Sequence, residues 1–135
     1  MRVNNWEDQL AIGIAEWSST DFKWGESDCV CSSFACVERM TGIDPMAEFR
    51  GNYDDEESAK QLIKNQGHSS LYHMLIAHLG KPIKATFAQR GDIVYRKASL
   101  EGGAVGICIG AEAVFKSDVG WTRVKLLSCA RAWRI

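Results

Sequence analysis

The chain has 135 residues, 46% of them hydrophobic and 24% charged, a balance that suits one globular domain spanning residues 1–135 with its own core. A formal net charge of -1 supplies no positive field for nucleic acid or an anionic membrane surface. The N-terminal MRVNNWEDQL lacks a signal core and no apolar run reaches spanning length, so synthesis in a cytoplasm is expected.

In chain order, Asn5 is placed to cap a first helix running through Trp17, with Trp6, Leu10, Ile14 and Trp17 along one face. Ser18 to Lys23 reads as a loop. The next stretch, FKWGESDCVCSSFAC from Phe22 to Cys36, is an aromatic-glycine turn entering an apolar helix. Asp28 is a good N-cap, and that puts Cys29 at the first helical position, where free backbone N–H groups favour a thiolate. Val30, Phe34, Val37 and Met40 follow at helical spacing and predict one buried face. Gly42 is set to end the helix, with Pro45 just beyond. A short helical turn is expected from Pro45 to Arg50, closed by Gly51. The acidic run Asp54 to Glu57 opens another helix that ends at Gly67, and Ser69 or Ser70 caps a fourth that stops at Gly80.

After Pro82 the period changes. Gly91 to Tyr95, Ala104 to Ile109, Ala113 to Lys116, Thr122 to Leu127 and Ala132 to Ile135 predict strands, with Leu100 to Gly103 a loop and Gly110 and Gly120 at turns. Helices first and strands afterwards make an α+β fold with a largely antiparallel sheet.

Five cysteines cannot all pair within one chain. Cys29, Cys31 and Cys36 invite a zinc reading, but on a helix Cys31 points roughly 200° away from Cys29 at 3.6 residues per turn, so the three cannot converge on a tetrahedral ion. No metal and no cofactor is expected. Cys29 at the mouth of a buried helix is a candidate nucleophile; the alternative is a small buried hydrophobe.

With both halves in view the chain resembles the NlpC-type branch of the papain-like cysteine peptidases, whose members cut cell-wall peptides. The resemblance rests on Trp24-Gly25 followed by Asp28-Cys29 at a helix start, on Gly91-Asp92-Ile93-Val94, and on Val105-Gly106-Ile107-Cys108-Ile109-Gly110. Three further stretches resemble a group of phage and prophage proteins encoded among tail genes. They are Thr41-Gly42-Ile43-Asp44-Pro45, Phe49-Arg50-Gly51-Asn52-Tyr53 and the closing Cys129 to Arg134. The resemblance implies an NlpC-type fold, N-terminal helices packed on a C-terminal antiparallel sheet. It also implies phage tail proteins or cell-wall peptide as partners, and virion association after synthesis.

The departures bear on function. In active enzymes of this type a histidine precedes the Val-Gly-Ile of the second core strand; here that position is Ala104. The third, polar catalytic position falls near Lys116, which would favour a thiolate if it approached Cys29. His68, His73 and His78 lie in the helical middle segment; His73 is the least remote replacement base, and capping or solvent-facing roles fit each of them. Trp24 and Asp28 are candidate cleft residues, Trp24 equally a core plug. Arg50 and Tyr53 either face the cleft or tie a long connection to the sheet. The leading expectation is a non-hydrolytic descendant of the fold acting in tail assembly or at the cell envelope. The alternative is a live cysteine hydrolase of peptidoglycan peptides that uses Cys29 with another base, and a chaperone for a tail protein is a third.

Overall fold

Asp28 adopts an extended backbone and its carboxylate accepts the N–H of Cys31, so helix α2 starts at Cys29 and runs to Thr41. Gly42, left-handed at φ 83°, returns its N–H to the Glu38 carbonyl and ends it. The structure, a computed structural model, describes residues 1–97, 103–117 and 120–135. The loop expected at Leu100 to Gly103 lies outside them except for Gly103. Val30, Phe34, Val37 and Met40 are all buried, as their spacing predicts.

Helix α1 (Trp6–Ser18) packs along α2. A Cβ at Gly13 would stand 2.9 Å from the Cys36 sulfur, so the glycine sets how closely the two helices approach. Asn5 precedes α1 without a side-chain cap bond; the entry is fixed instead by Val3, whose N–H donates to Met40, and by Arg2 stacked over the Trp6 ring. Residues 45–51 form consecutive turns rather than a helix. Helix α3 (Glu56–Asn65) begins with a reciprocal capping box between Asp55 and Ser58. Helix α4 (Leu71–Leu79) is capped by Ser70.

The sheet has six strands: β1 (Ile83–Lys84), β2 (Ile93–Arg96), β3 (Ala104–Cys108), β4 (Glu112–Ser117), β5 (Gly120–Lys125) and β6 (Arg131–Trp133). Their order is β1-β6-β2-β3-β4-β5 and every pairing is antiparallel. Sequence period missed β1, which is too short to show one, and the 3-10 turns Ala85–Phe87 and Leu126–Ser128.

Alternation along the strands divides the core in two. Ile93, Tyr95, Val105, Ile107 and Val114 face the helices, with Phe34, Met40 and Trp133 among their neighbours. Val94, Cys108, Phe115 and Ala132 face the other way, into a smaller cluster with Leu126 and Cys129. Burying one Phe or Met side chain contributes about 1.5–3 kcal/mol, so the larger cluster holds α2 firmly against β3.

Candidate active site

The turn before α2 is fixed from three sides. Asp28 is 1% exposed and its carboxylate has three donors: the Gly25 N–H at 2.9 Å, the Cys31 N–H at 2.8 Å and the Tyr53 hydroxyl. Gly25 has φ 81°, and a Cβ there would lie 2.0 Å from the Tyr53 carbonyl oxygen. Its own carbonyl accepts the Gly51 N–H at 2.8 Å. The segment from Phe49 to Tyr53 is thus a strap across the mouth of α2. Arg50 extends it by donating to the Cys31 carbonyl at 3.0 Å while paired with Asp44. Tyr53 lines the cleft, and the tie it makes is to Asp28 at the mouth of α2 rather than to the sheet. Arg50 belongs to the strap, not to the lining of that cleft.

Cys29 lines a cleft of about 530 Å³ between the start of α2, helix α3, the start of α4 and Gly103 before β3. Trp24, Val30, Phe49, Tyr53, Ile63 and Leu71 form most of its apolar wall. Trp24 meets Phe22 and Tyr53 edge to face, at centroid distances of 5.3 and 6.5 Å, and so serves as packing and as wall together.

The Cys29 thiol is pushed up from an ordinary 9.0 to about 11. Burial is the largest cause, the Asp28 carboxylate adds to it, and backbone hydrogen bonds from Val105, Val30 and Cys29 itself oppose it. The helix terminus therefore acts in the expected direction but is outweighed by desolvation. Cys31, beside the Tyr53 hydroxyl at 3.4 Å, is pushed up to about 12, again mainly by burial. Burial followed by the charge of Asp28 also raises the Tyr53 hydroxyl.

The other positions expected at the site lie elsewhere. Ala104 packs with the smaller cluster on the sheet face turned away from α2, whereas Val105 shares the cluster of Cys29 and Gly103 lines the cleft. Lys116 is 4% exposed and donates to the carbonyls of Trp17 and Thr20 at the end of α1. A cation there satisfies a helix C-terminus; desolvation lowers its pKa while Asp21 raises it. His78 Nδ1 meets the Pro45 carbonyl at 3.1 Å, and the His68 ring packs on His78. His73 Nδ1 lies 2.9 Å from the Ser69 hydroxyl and 2.8 Å from that of Ser70. Both serines line the cleft, so His73 stands behind its rim. Among the described residues no three histidine, cysteine or acidic side chains converge as a metal site would require.

Helices packed on a six-stranded antiparallel sheet, with a cysteine at the mouth of the central helix, define an α+β fold of the NlpC/p60 type. The crystal structure of the NlpC/p60 domain of the peptidoglycan hydrolase SagA is similar over 95% of this chain and 97% of that one, with a TM-score of 0.56 and 14% identity. The chain belongs to the family described as Domain of unknown function (DUF6950), whose model matches residues 1–135. Comparison with curated proteins gave no match.

Proposed function

We propose that this protein is a non-hydrolytic relative of the NlpC-type peptidases that uses the inherited cleft as a binding surface, in phage tail assembly or in contact with the cell envelope. The observation that carries the reading is the state of Cys29: its thiol is pushed up to about 11 and the ring contacts of all three histidines lie elsewhere. A cysteine peptidase needs a base to form the thiolate, an acid to protonate the leaving amine and a base to activate water against the thioester. The amides at the start of α2 stabilise negative charge but carry no proton that titrates near neutral pH for the last two steps. Ala104, the histidine position that the resemblance implied, packs on the far face of β3 and supplies no group to Cys29. The tail and envelope roles follow from the sequence resemblance, and a cell-wall peptide is the partner that the NlpC/p60 neighbour suggests.

The position of His73 favours a second reading, in which a shift of the rim formed by Ser69 and Ser70 lets this ring serve as base for a peptidoglycan hydrolase. The two readings separate in one experiment. Wild type, Cys29→Ala and His73→Ala are incubated with peptidoglycan fragments and the products read by mass spectrometry. Loss of general acid–base assistance is worth about 10² to 10⁴ in rate, so no cleavage above the Cys29→Ala background is expected. Cleavage by the wild type that disappears in both variants would establish the hydrolase.

A further inference from the structure

Among the described residues, the charged side chains and hydroxyls around the cleft of Cys29 are, with one exception, already matched within the protein. Asp28 is surrounded by its three donors. Glu56 and Lys60, one turn apart on α3, pair at 3.4 Å. The hydroxyls of Ser69 and Ser70 meet the His73 ring. Lys64 is the exception: it follows Lys60 by a further turn on the same face of α3, lines the cleft, and makes no ion pair with any described residue. The rest of the wall is aromatic and aliphatic, with Trp24, Phe49 and Ile63 at its centre. At about 530 Å³ the cleft falls within the range of small-molecule sites, about 300–1,000 Å³.

A ligand fitted to such a wall removes apolar surface from water and brings one negative group to Lys64. A polar peptide backbone would lose hydrogen bonds to water here and meet few unmatched donors or acceptors in return. Resting on the reading of the cleft as a binding surface, we infer that it takes an apolar monocarboxylate: a medium-length aliphatic or aromatic group that ends in a carboxylate held by Lys64. Two sources share that chemistry, a fatty acid and the C-terminal end of an apolar peptide. The thiol of Cys29 forms part of the wall and no bond is made to it.

The test uses the full chain and isothermal titration with octanoate, octanol, octylammonium, N-acetyl-leucyl-phenylalanine and a peptidoglycan tetrapeptide. Octanoate or the apolar dipeptide binds, octylammonium binds more weakly, and the tighter of the two carboxylates identifies the source. Lys64 is exposed, so Lys64→Gln leaves the fold intact; it weakens carboxylate binding about two- to fivefold, the worth of an exposed ion pair, and leaves octanol unchanged. Ala59→Trp, which fills the cleft from α3, abolishes binding of all three octyl probes, and Lys64→Gln carries the test should that variant fold poorly. Octylammonium binding as tightly as octanoate, or carboxylate binding untouched by Lys64→Gln, overturns the inference. Uncut tetrapeptide bound while octanoate is ignored overturns the inference alone and leaves the binding-surface reading standing. Cleavage of the tetrapeptide overturns that reading itself.

Discussion

At the scale of single residues, Cys29 shows two opposed effects meeting at one atom. A helix N-terminus lowers a thiol pKa, and by position alone this cysteine should be the most reactive of the five. Burial and the neighbouring Asp28 carboxylate raise it, and the balance rests at about 11. The sign follows directly: below that pH the proton stays on sulfur, and the thiolate fraction grows tenfold per pH unit as 11 is approached. Alkylation of Cys29 by iodoacetamide is therefore slow at pH 7 and climbs with unit slope to a plateau near pH 11, measured by peptide mapping at a series of pH values. A plateau below pH 8.5 would mean that the terminus wins. The sequence placed Cys29 at the first helical position correctly, because capping is a local property of Asp28. It did not show the balance, because the burial of the thiol and the backbone hydrogen bond from Val105 that opposes it both come from tertiary packing, with Val105 far away in the chain.

At the scale of elements, the strap from Phe49 to Tyr53 matters more to the site than its irregular backbone suggests. It touches the turn before α2 through Gly51 on Gly25, Tyr53 on Asp28 and Arg50 on the Cys31 carbonyl. The helix itself was legible from Asp28, Gly42 and the spacing of Val30, Phe34, Val37 and Met40. The strap was legible only as two alternatives for Arg50 and Tyr53, since no period marks a segment that bonds through its backbone to a distant turn. Gly25 is where the two elements come closest. A Cβ there meets backbone oxygen at 2.0 Å and would have to adopt φ 81°, so strain and displacement add. Gly25→Ala is expected to lower stability by more than about 2 kcal/mol, combining about 1–2 kcal/mol for the left-handed backbone with the shift of the strap. Gly51→Ala, at φ 78° but with open space around its Cβ position, bears the first term alone. Chemical denaturation of the two variants measures the difference, and equal losses would show that the strap yields freely.

At the scale of the whole molecule, the sheet unites what the sequence presents as separate halves. Asp92 accepts from the Gln89 N–H, the Ile135 N–H and Arg2, and Arg2 also donates to the carbonyls of Arg90 and Ile135, so both ends of the chain meet at the start of β2. The α+β order and the pairing of β2 with β3 were readable from the change of period after Pro82. The joining of the ends was not, because one arginine near the start and one aspartate after a glycine turn carry no pattern between them. The helical side of this sheet also encloses Cys31 and Cys36, 1% and 0% exposed, and burial pushes both thiols up from 9.0 to about 12. For a group that is neutral when folded, the native state binds its proton more tightly than the unfolded chain does. Stability is then complete below pH 9 and falls between about pH 9 and 12, as the unfolded thiols ionise while the folded ones do not. Each such cysteine contributes a loss of up to about 1.4 kcal/mol per pH unit in that window. Urea unfolding from pH 8 to 11 is expected to show this decline, and Cys36→Ala should reduce its slope by one thiol's share. That variant also loses a constant amount at every pH from the cavity left against α1, so the slope, not the offset, is the quantity that tests the argument. An unchanged slope would mean that Cys36 ionises within the folded protein, and with it that the packing of α1 on α2 admits water at alkaline pH.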